Sequence, residues 1–415
     1  MASNKIATPT RPTVEQWFEE LALISLCTPH HEDNPLEATC RWGQPAIFWG
    51  GSGIGKSARI KQAAKKAGLT CEVVFPSQRQ PEDFSGVLTP NPSSPEGVSI
   101  ECLLPPIRKL MRNGGNGVLF IDEASNAPPA VQGAMLGMLL DRMVGDNELL
   151  PTIRILLAAN PPEIAAGGYG LEPPTANRIG HFFVGAPSFE QWETYYTNRF
   201  ATPTPPVNYV GMVREGWSTH APVMSGTLVG FLKSNGAAKD DQPKAHDPAG
   251  GFAWPSGRTW EMAINAMIAR RAIAFPEELD NILVTGFVGE ARANEFAVWR
   301  REAKLPTPET VLSGGWAHDP RRLDITAAVL ATIVPYVGMK QKGDEREAAA
   351  VATWQLFHRM IQAHAADLAV KPMSAMINKH GLGMTGDRTT NEIKNAALPV
   401  ISWLGHNGYQ QFITQ

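Results

Sequence analysis

Cysteine, long apolar runs and a surplus of charge of either sign are all scarce in this sequence. Its four cysteines (Cys27, Cys40, Cys71, Cys102) stand far apart with no C-x-x-C pair, which argues against a disulfide framework and against a zinc site. No apolar run approaches the roughly 18 residues that a membrane-spanning helix needs. The opening MASNKIATPTRPT has no apolar signal core. The expected location is therefore a reducing cytoplasm, with no membrane span. A net charge of -3 provides no general attraction to nucleic acid. The short basic clusters Lys61/Lys65/Lys66, Arg270/Arg271 and Arg300/Arg301 read as solvated helix faces. Apolar residues at 43% and charged residues at 19% are ordinary for a globular chain. A length of 415 residues predicts two or three domains, and no internal repeat is visible.

What is present is concentrated in one stretch. Residues 50–57 read GGSGIGKS after the apolar run Pro45-Ala46-Ile47-Phe48-Trp49. They fit G-x-x-x-x-G-K-[ST], with Gly50, Gly55, Lys56 and Ser57 at the fixed places and Gly51, Ser52, Gly53 and Ile54 between them. Such a loop joins a buried strand to a helix, and its glycines let backbone N–H groups curl around phosphates without a Cβ clash. The helix expected from Lys56 aims its positive dipole end at the same anion. Lys56 would reach the β- and γ-phosphates, and the Ser57 hydroxyl would ligate Mg2+. The expected ligands are ATP and Mg2+.

About 65 residues further on, Gly117-Val118-Leu119-Phe120-Ile121 runs into Asp122-Glu123. An apolar run ending in acids describes a buried parallel strand that delivers carboxylates to its C-terminal edge. Asp122 would hold Mg2+ and Glu123 would orient or deprotonate the attacking water. A second core strand, residues 153–159, ends at Asn160-Pro161, where a polar amide could reach the γ-phosphate; Asn-Pro also favours a simple turn. A last strand, His181-Phe182-Phe183-Val184, follows Arg178.

Elsewhere the pattern predicts a helix over 13–27 with Thr13 as its N-cap, then a polar stretch in which His30 and His31 are exposed. Residues 76–106 form a long Pro/Ser/Gly-rich excursion with arms at 86–88 and 98–100. Residues 187–235 carry aromatic helical segments, and 236–254 read as a loop. Trp260, Ile264, Met267 and Ile268 make an apolar stripe on a helix opened by Pro255-Ser256-Gly257, with Arg258 in its first turn. The region after Leu305 reads as all helical, with a stripe Val351, Trp354, Phe357 and Ile361 and a capping box at Thr389 and Glu392. His358 and His364 stand at a poor spacing for joint ligation.

Taken together, these motifs resemble an AAA+ ATPase of the MoxR-like branch over about residues 40–315. DEASNAPPAVQGAML (122–136) is similar to the family's acidic box and the helix after it. NPPEIAAGGYGLEPPTANRIGHF (160–182), QRQPEDFSG (78–86), PSGRTWEMA (255–263) and LPTPETVL (305–312) resemble further family segments. The resemblance implies an α/β P-loop NTPase (AAA+) core with a parallel sheet over 1–186. An α-helical lid over 187–304 and an α-helical C-terminal extension over 305–415 would follow. It implies Walker A at Gly50–Ser57, Walker B at Asp122 and Glu123, sensor 1 at Asn160, an arginine finger at Arg178 and sensor 2 at Arg258. It further implies a hexameric ring that hydrolyses ATP to remodel or mature a partner, often a von Willebrand factor A domain protein or a client enzyme complex. Two positions depart from the family: Ser125-Asn126 replaces Asn-Arg, and Asn177 replaces the acid that often precedes the arginine. The alternatives are a nucleic-acid-directed AAA+ motor, disfavoured by the mild acidity, and an ATP-gated scaffold, disfavoured by an intact Glu123 and Asn160.

Overall fold

In a computed structural model of the chain, residues 16–412 are described apart from 94, 96–97, 102–103, 163, 165–168, 199–203, 245–246, 341–342 and 386–388. Thr13 and Cys102 lie outside the described residues. The contacts divide the chain into two compact units. One takes Met1–Arg214 and Asp240–Ala291, the other Glu215–Lys239 and Arg292–Gln415.

The first unit is built on five parallel strands: β1 (Ala46–Trp49), β2 (Thr70–Val74), β3 (Gly117–Ile121), β4 (Ile153–Ala159) and β5 (Gly180–Phe183). Their order across the sheet is β2-β3-β4-β1-β5. Every residue of β1, β3 and β4 is buried, and their continuous apolar runs are what a parallel sheet covered on both faces requires. The edge strand β2 is correspondingly only half buried. Because β4 lies between β1 and β3, Trp49 pairs with Ala159 and Ile121 with Leu157. The residues just past those strand ends, Gly50, Asn160 and Asp122, therefore emerge on one edge of the sheet. The expected α/β core with a parallel sheet is the fold observed.

Helices Lys56–Lys66 and Pro129–Leu140 bury Ile60, Ala63 and Ala64, and Val131, Met135, Met138 and Leu139 respectively. The long excursion contains the antiparallel hairpin Val87–Pro90 with Val98–Glu101, close to the arms expected from the sequence. Helix Gly257–Ala272 buries Trp260, Ile264, Met267 and Ile268, the anticipated stripe.

Two expectations fail in this unit: Arg270, expected on a solvated helix face, is buried and its Nε donates to Asp280 Oδ1 at 2.8 Å, because the next helix supplies a buried carboxylate for it. His30 and His31 are buried, at 2% and 8% exposure, rather than exposed. The polar stretch folds back on itself, with His30 N–H donating to the Arg41 carbonyl (2.8 Å) and Gly43 N–H to that of Thr28 (2.9 Å). Asp33 closes the turn with a forked contact to the Arg41 guanidinium at 2.9 and 2.8 Å. Sequence polarity missed this because the burial comes from backbone pairing, not from apolar side chains. The helix before it begins at Phe18.

The second unit is helical. Helices Leu323–Met339, Asp344–Gln362, Ala366–Ser374 and Asn391–His406 surround Trp354, Phe357, Ile333 and Met360. The Trp354 indole N–H donates to the Leu382 carbonyl at 2.7 Å. The buried face is centred on Ala350, Thr353, Trp354, Phe357 and Met360; Val351 and Ile361 lie at its margin. The last helix is capped by Thr390, not Thr389, since Thr390 Oγ1 accepts from Ile393 N–H. The Thr389 hydroxyl is already committed to the Gly381 carbonyl at 2.9 Å. Among the described residues, no helix is long and apolar enough to cross a membrane.

Burial, with Arg142 nearby, pushes the His30 imidazole down from 6.5 to about 3. A histidine held neutral in the fold binds fewer protons than in the unfolded chain, so stability is full above pH 6.5 and falls as pH drops toward about 3. Thermal melts from pH 7.5 to 4.5 are expected to show this loss, and His30→Phe to flatten it. Equal slopes in both proteins would contradict the buried neutral histidine.

Candidate nucleotide-binding site

Between β1 and the helix Lys56–Lys66 the chain makes a tight glycine-rich turn. Gly50 N–H donates to the Ala159 carbonyl at 3.1 Å. A Cβ at Gly50 would lie 2.5 Å from Ile54 Cδ1 and 2.7 Å from the Val184 carbonyl oxygen, so only glycine fits. Gly55, the residue before the helix, is left-handed at φ +83° with open space around it. Among the described hydrogen bonds, none uses a backbone N–H of residues 51–57. A loop of free N–H groups at a helix N-terminus is an anion cradle.

Lys56 folds back into this cradle. Its Nζ donates to the carbonyls of Gly50 (2.7 Å) and Gly51 (2.9 Å) and to Asn160 Oδ1 (3.0 Å). Burial holds its ammonium below the ordinary lysine range, with Asp122 and Glu123 pulling the other way. The Asn160 amide nitrogen donates to Ser52 Oγ at 3.2 Å, so this side chain joins β4 to the loop. Its orientation follows from Lys56, which can only donate.

The Ser57 hydroxyl donates to Asp122 Oδ2 at 2.6 Å, and Asp122 Oδ1 accepts from Glu123 N–H at 3.0 Å. A hydroxyl beside a carboxylate is the hard-oxygen donor pair that Mg2+ takes, leaving room for phosphate oxygens and water. These residues fit that ion. Glu123 is exposed and its backbone is left-handed at φ 56°, a conformation that costs of order 1–3 kcal/mol for a residue with a Cβ. It directly follows Asp122 at the strand end, and its charge bears on the Lys56 ammonium. The Ser125 hydroxyl donates to the Asn160 backbone carbonyl at 3.3 Å.

Arg178 and Arg258 bear on one another. Burial, and then the like charge of Arg258, hold the Arg178 guanidinium below its ordinary range, with Asp141 pulling the other way. Arg178 donates to the Pro174 carbonyl. The structure thus brings Lys56, Ser57, Asp122 and Asn160 together, with Glu123 adjoining, and among the described hydrogen bonds none joins Arg178 or Arg258 to them.

Sequence reasoning missed several supporting residues. Gln132, buried, donates to the Ala127 (3.0 Å) and Gly170 (2.8 Å) carbonyls and accepts from Glu172 N–H (3.1 Å), clamping the chain beyond Asn160. Trp49 Nε1 donates to His181 Nδ1 at 3.1 Å, and His181 Nε2 donates to the Ala176 carbonyl at 2.9 Å. The only sequence signal for these was a polar group within an apolar run. Among the described residues, no cluster of histidine, cysteine and acids has metal-site geometry.

No protein-family model matches the chain, and no curated protein matches it. Among solved structures, it is similar to that of a "putative ATPase" from Cytophaga hutchinsonii, at 16% identity and a TM-score of 0.40, over 67% of this chain and 82% of that one.

Gly55→Ala is expected to lower the unfolding free energy by about 1 kcal/mol, because an L-residue is forced left-handed. Gly50→Ala should cost roughly 1–3 kcal/mol through overpacking. Denaturant melts check both, and unchanged midpoints would contradict the loop geometry.

Proposed function

We propose that this chain binds ATP with Mg2+ and hydrolyses it. The observation that carries the proposal is the meeting of Lys56 with Asn160, and of Ser57 with Asp122, on one edge of the parallel sheet. In the reaction, the free N–H groups of residues 51–57 bind the phosphate oxygens. Lys56 exchanges the Gly50 and Gly51 carbonyls for the β- and γ-phosphates. Ser57 and Asp122 hold Mg2+, which when bound supplies neutralisation of charge on those oxygens. Glu123 accepts a proton from the water that attacks the γ-phosphorus, while the bond to the departing ADP breaks. Asn160 holds that water and the γ-phosphate in line. Water is consumed, and ADP and phosphate leave.

The wider role is supported by the sequence resemblance to MoxR-like AAA+ ATPases. In this reading the chain forms a hexameric ring in the cytoplasm and remodels or matures a client enzyme complex or a von Willebrand factor A domain protein. Residues 1–186 form the nucleotide-binding domain, 187–304 the lid and 305–415 the extension. Arg178 shares no described hydrogen bond with Lys56, Ser57, Asp122 or Asn160, which supports its supply to the site of an adjoining subunit. Such a finger contributes ~10^3–10^5 in rate. Arg258 acts as the sensor that couples hydrolysis to lid movement.

Glu123→Gln should keep ATP binding and lose hydrolysis by ~10^2–10^4-fold, whereas Lys56→Ala should lose binding. Phosphate release and equilibrium binding on the full chain check both. A Glu123→Gln protein that turns over ATP at the unsubstituted rate would contradict the assignment.

A further inference from the structure

Two arginines brought close repel one another, so something else must hold them. Arg178 follows the short helix Pro173–Ala176, and Arg258 lies in the first turn of helix Gly257–Ala272. Asn177, only 6% exposed, connects the two segments. Its Nδ2 donates to the Trp254 carbonyl at 3.3 Å and its Oδ1 accepts from the Ser256 hydroxyl at 3.0 Å. Ser256 is the N-cap of the Arg258 helix: its Oγ accepts from Thr259 N–H (3.2 Å), and its own N–H donates to Thr259 Oγ1 (2.8 Å). The neighbour of Arg178 in sequence is thereby tied to the residue two before Arg258.

The same loop is fixed from its other side. The Ala176 carbonyl accepts from His181 Nε2, and His181 Nδ1 accepts from the Trp49 indole. An indole N–H can only donate and a carbonyl can only accept, so this histidine is neutral with its proton on Nε2. Trp49 directly precedes Gly50. The Arg178 loop is thus held between the phosphate-loop strand and the Arg258 helix.

The chemistry at position 177 calls for an amide. The Trp254 carbonyl already accepts from Thr259 Oγ1 (3.0 Å) and takes its second hydrogen bond from the Asn177 amide, a bond that ties the Arg178 loop to this turn and that a carboxylate cannot offer. An acid here would also place a negative charge beside Arg178 and Arg258 and weaken their pull on an anion. The amide makes both hydrogen bonds and leaves both positive charges available. The buried Arg178 Nε has no partner among the described atoms, so this guanidinium retains a donor to give.

We propose that Asn177 is a positioning residue that holds Arg178 and Arg258 as one two-guanidinium clamp, offered by one subunit to the transferred phosphoryl group in the site of an adjoining subunit. The clamp rests on the ATPase reading above. It explains the departure from an acid at this position as a gain of a donor and of net positive charge at the clamp.

The test is steady-state hydrolysis, binding of a fluorescent ATP analogue and thermal melting of the full chain, for Asn177→Asp, Asn177→Ala, Ser256→Ala and Arg178→Ala. Misplacing a catalytic group by about 1 Å costs roughly 100-fold. Asn177→Asp should therefore lower kcat by ~10–100-fold, and by more than Asn177→Ala does, with analogue binding nearly unchanged. Adding Asn177→Ala to Arg178→Ala should change kcat little further, because both act through one clamp. Multiplying effects, or Asn177→Asp hydrolysing like the unsubstituted chain, would overturn the clamp. If the Asn177 variants do not fold, Ser256→Ala decides: a lowered kcat supports the clamp and an unchanged one overturns it. Hydrolysis that depends on Arg178 but not on Asn177 overturns the clamp alone. An unsubstituted chain without hydrolysis, or one indifferent to Arg178→Ala, overturns the ATPase reading together with it.

Discussion

The Lys56 ammonium sits between two backbone carbonyls and the Asn160 amide, and the layout of the first unit follows from putting it there. For a side chain at the start of one helix to meet an amide at the end of another strand, β1 and β4 must be parallel neighbours in register. That is the pairing of Trp49 with Ala159. The carboxylate of Asp122 must then come from the next strand over, which β3 supplies through its pairing with β4. Three fully buried strands make this edge rigid, since a slip in register would carry buried side chains away from their neighbours. A partly buried lysine is tolerable only because it is fully hydrogen-bonded, and those bonds are of the kind a phosphate can replace.

Polar groups elsewhere in this unit extend the same order outward. Gln132 satisfies its amide on three backbone groups, and His181 is fixed in one tautomer by Trp49 and Ala176. Each is buried and bonded, so each specifies a loop position that packing alone leaves loose. Glu123 shows the opposite: a strained, exposed residue at a strand end, where the cost is carried by the surrounding rigid sheet.

Much of this was legible in the sequence because the chemistry is local there. GGSGIGKS after an apolar run fixes strand, loop and helix together, and an apolar strand ending in Asp122-Glu123 announces a sheet edge. The hairpin in the long excursion and the apolar stripe of the Arg258 helix were also visible, since period and turn residues are short-range signals. What could not be read depends on partners far along the chain. His30 and His31 are buried by backbone pairing, Thr390 caps because Thr389 is taken by Gly381, and Asn177 finds its partners about 80 residues away. The grouping of 240–291 with the sheet is likewise a tertiary fact with no composition signal.

The most direct measurement is a calorimetric titration of the full chain with a non-hydrolysable ATP analogue, with and without Mg2+, beside Ser57→Ala. The account predicts binding that Mg2+ tightens in the unsubstituted chain and barely affects in Ser57→Ala. No binding under either condition, or an equal Mg2+ effect in both proteins, would contradict the assignment of Lys56, Ser57 and Asp122 to a nucleotide–metal site.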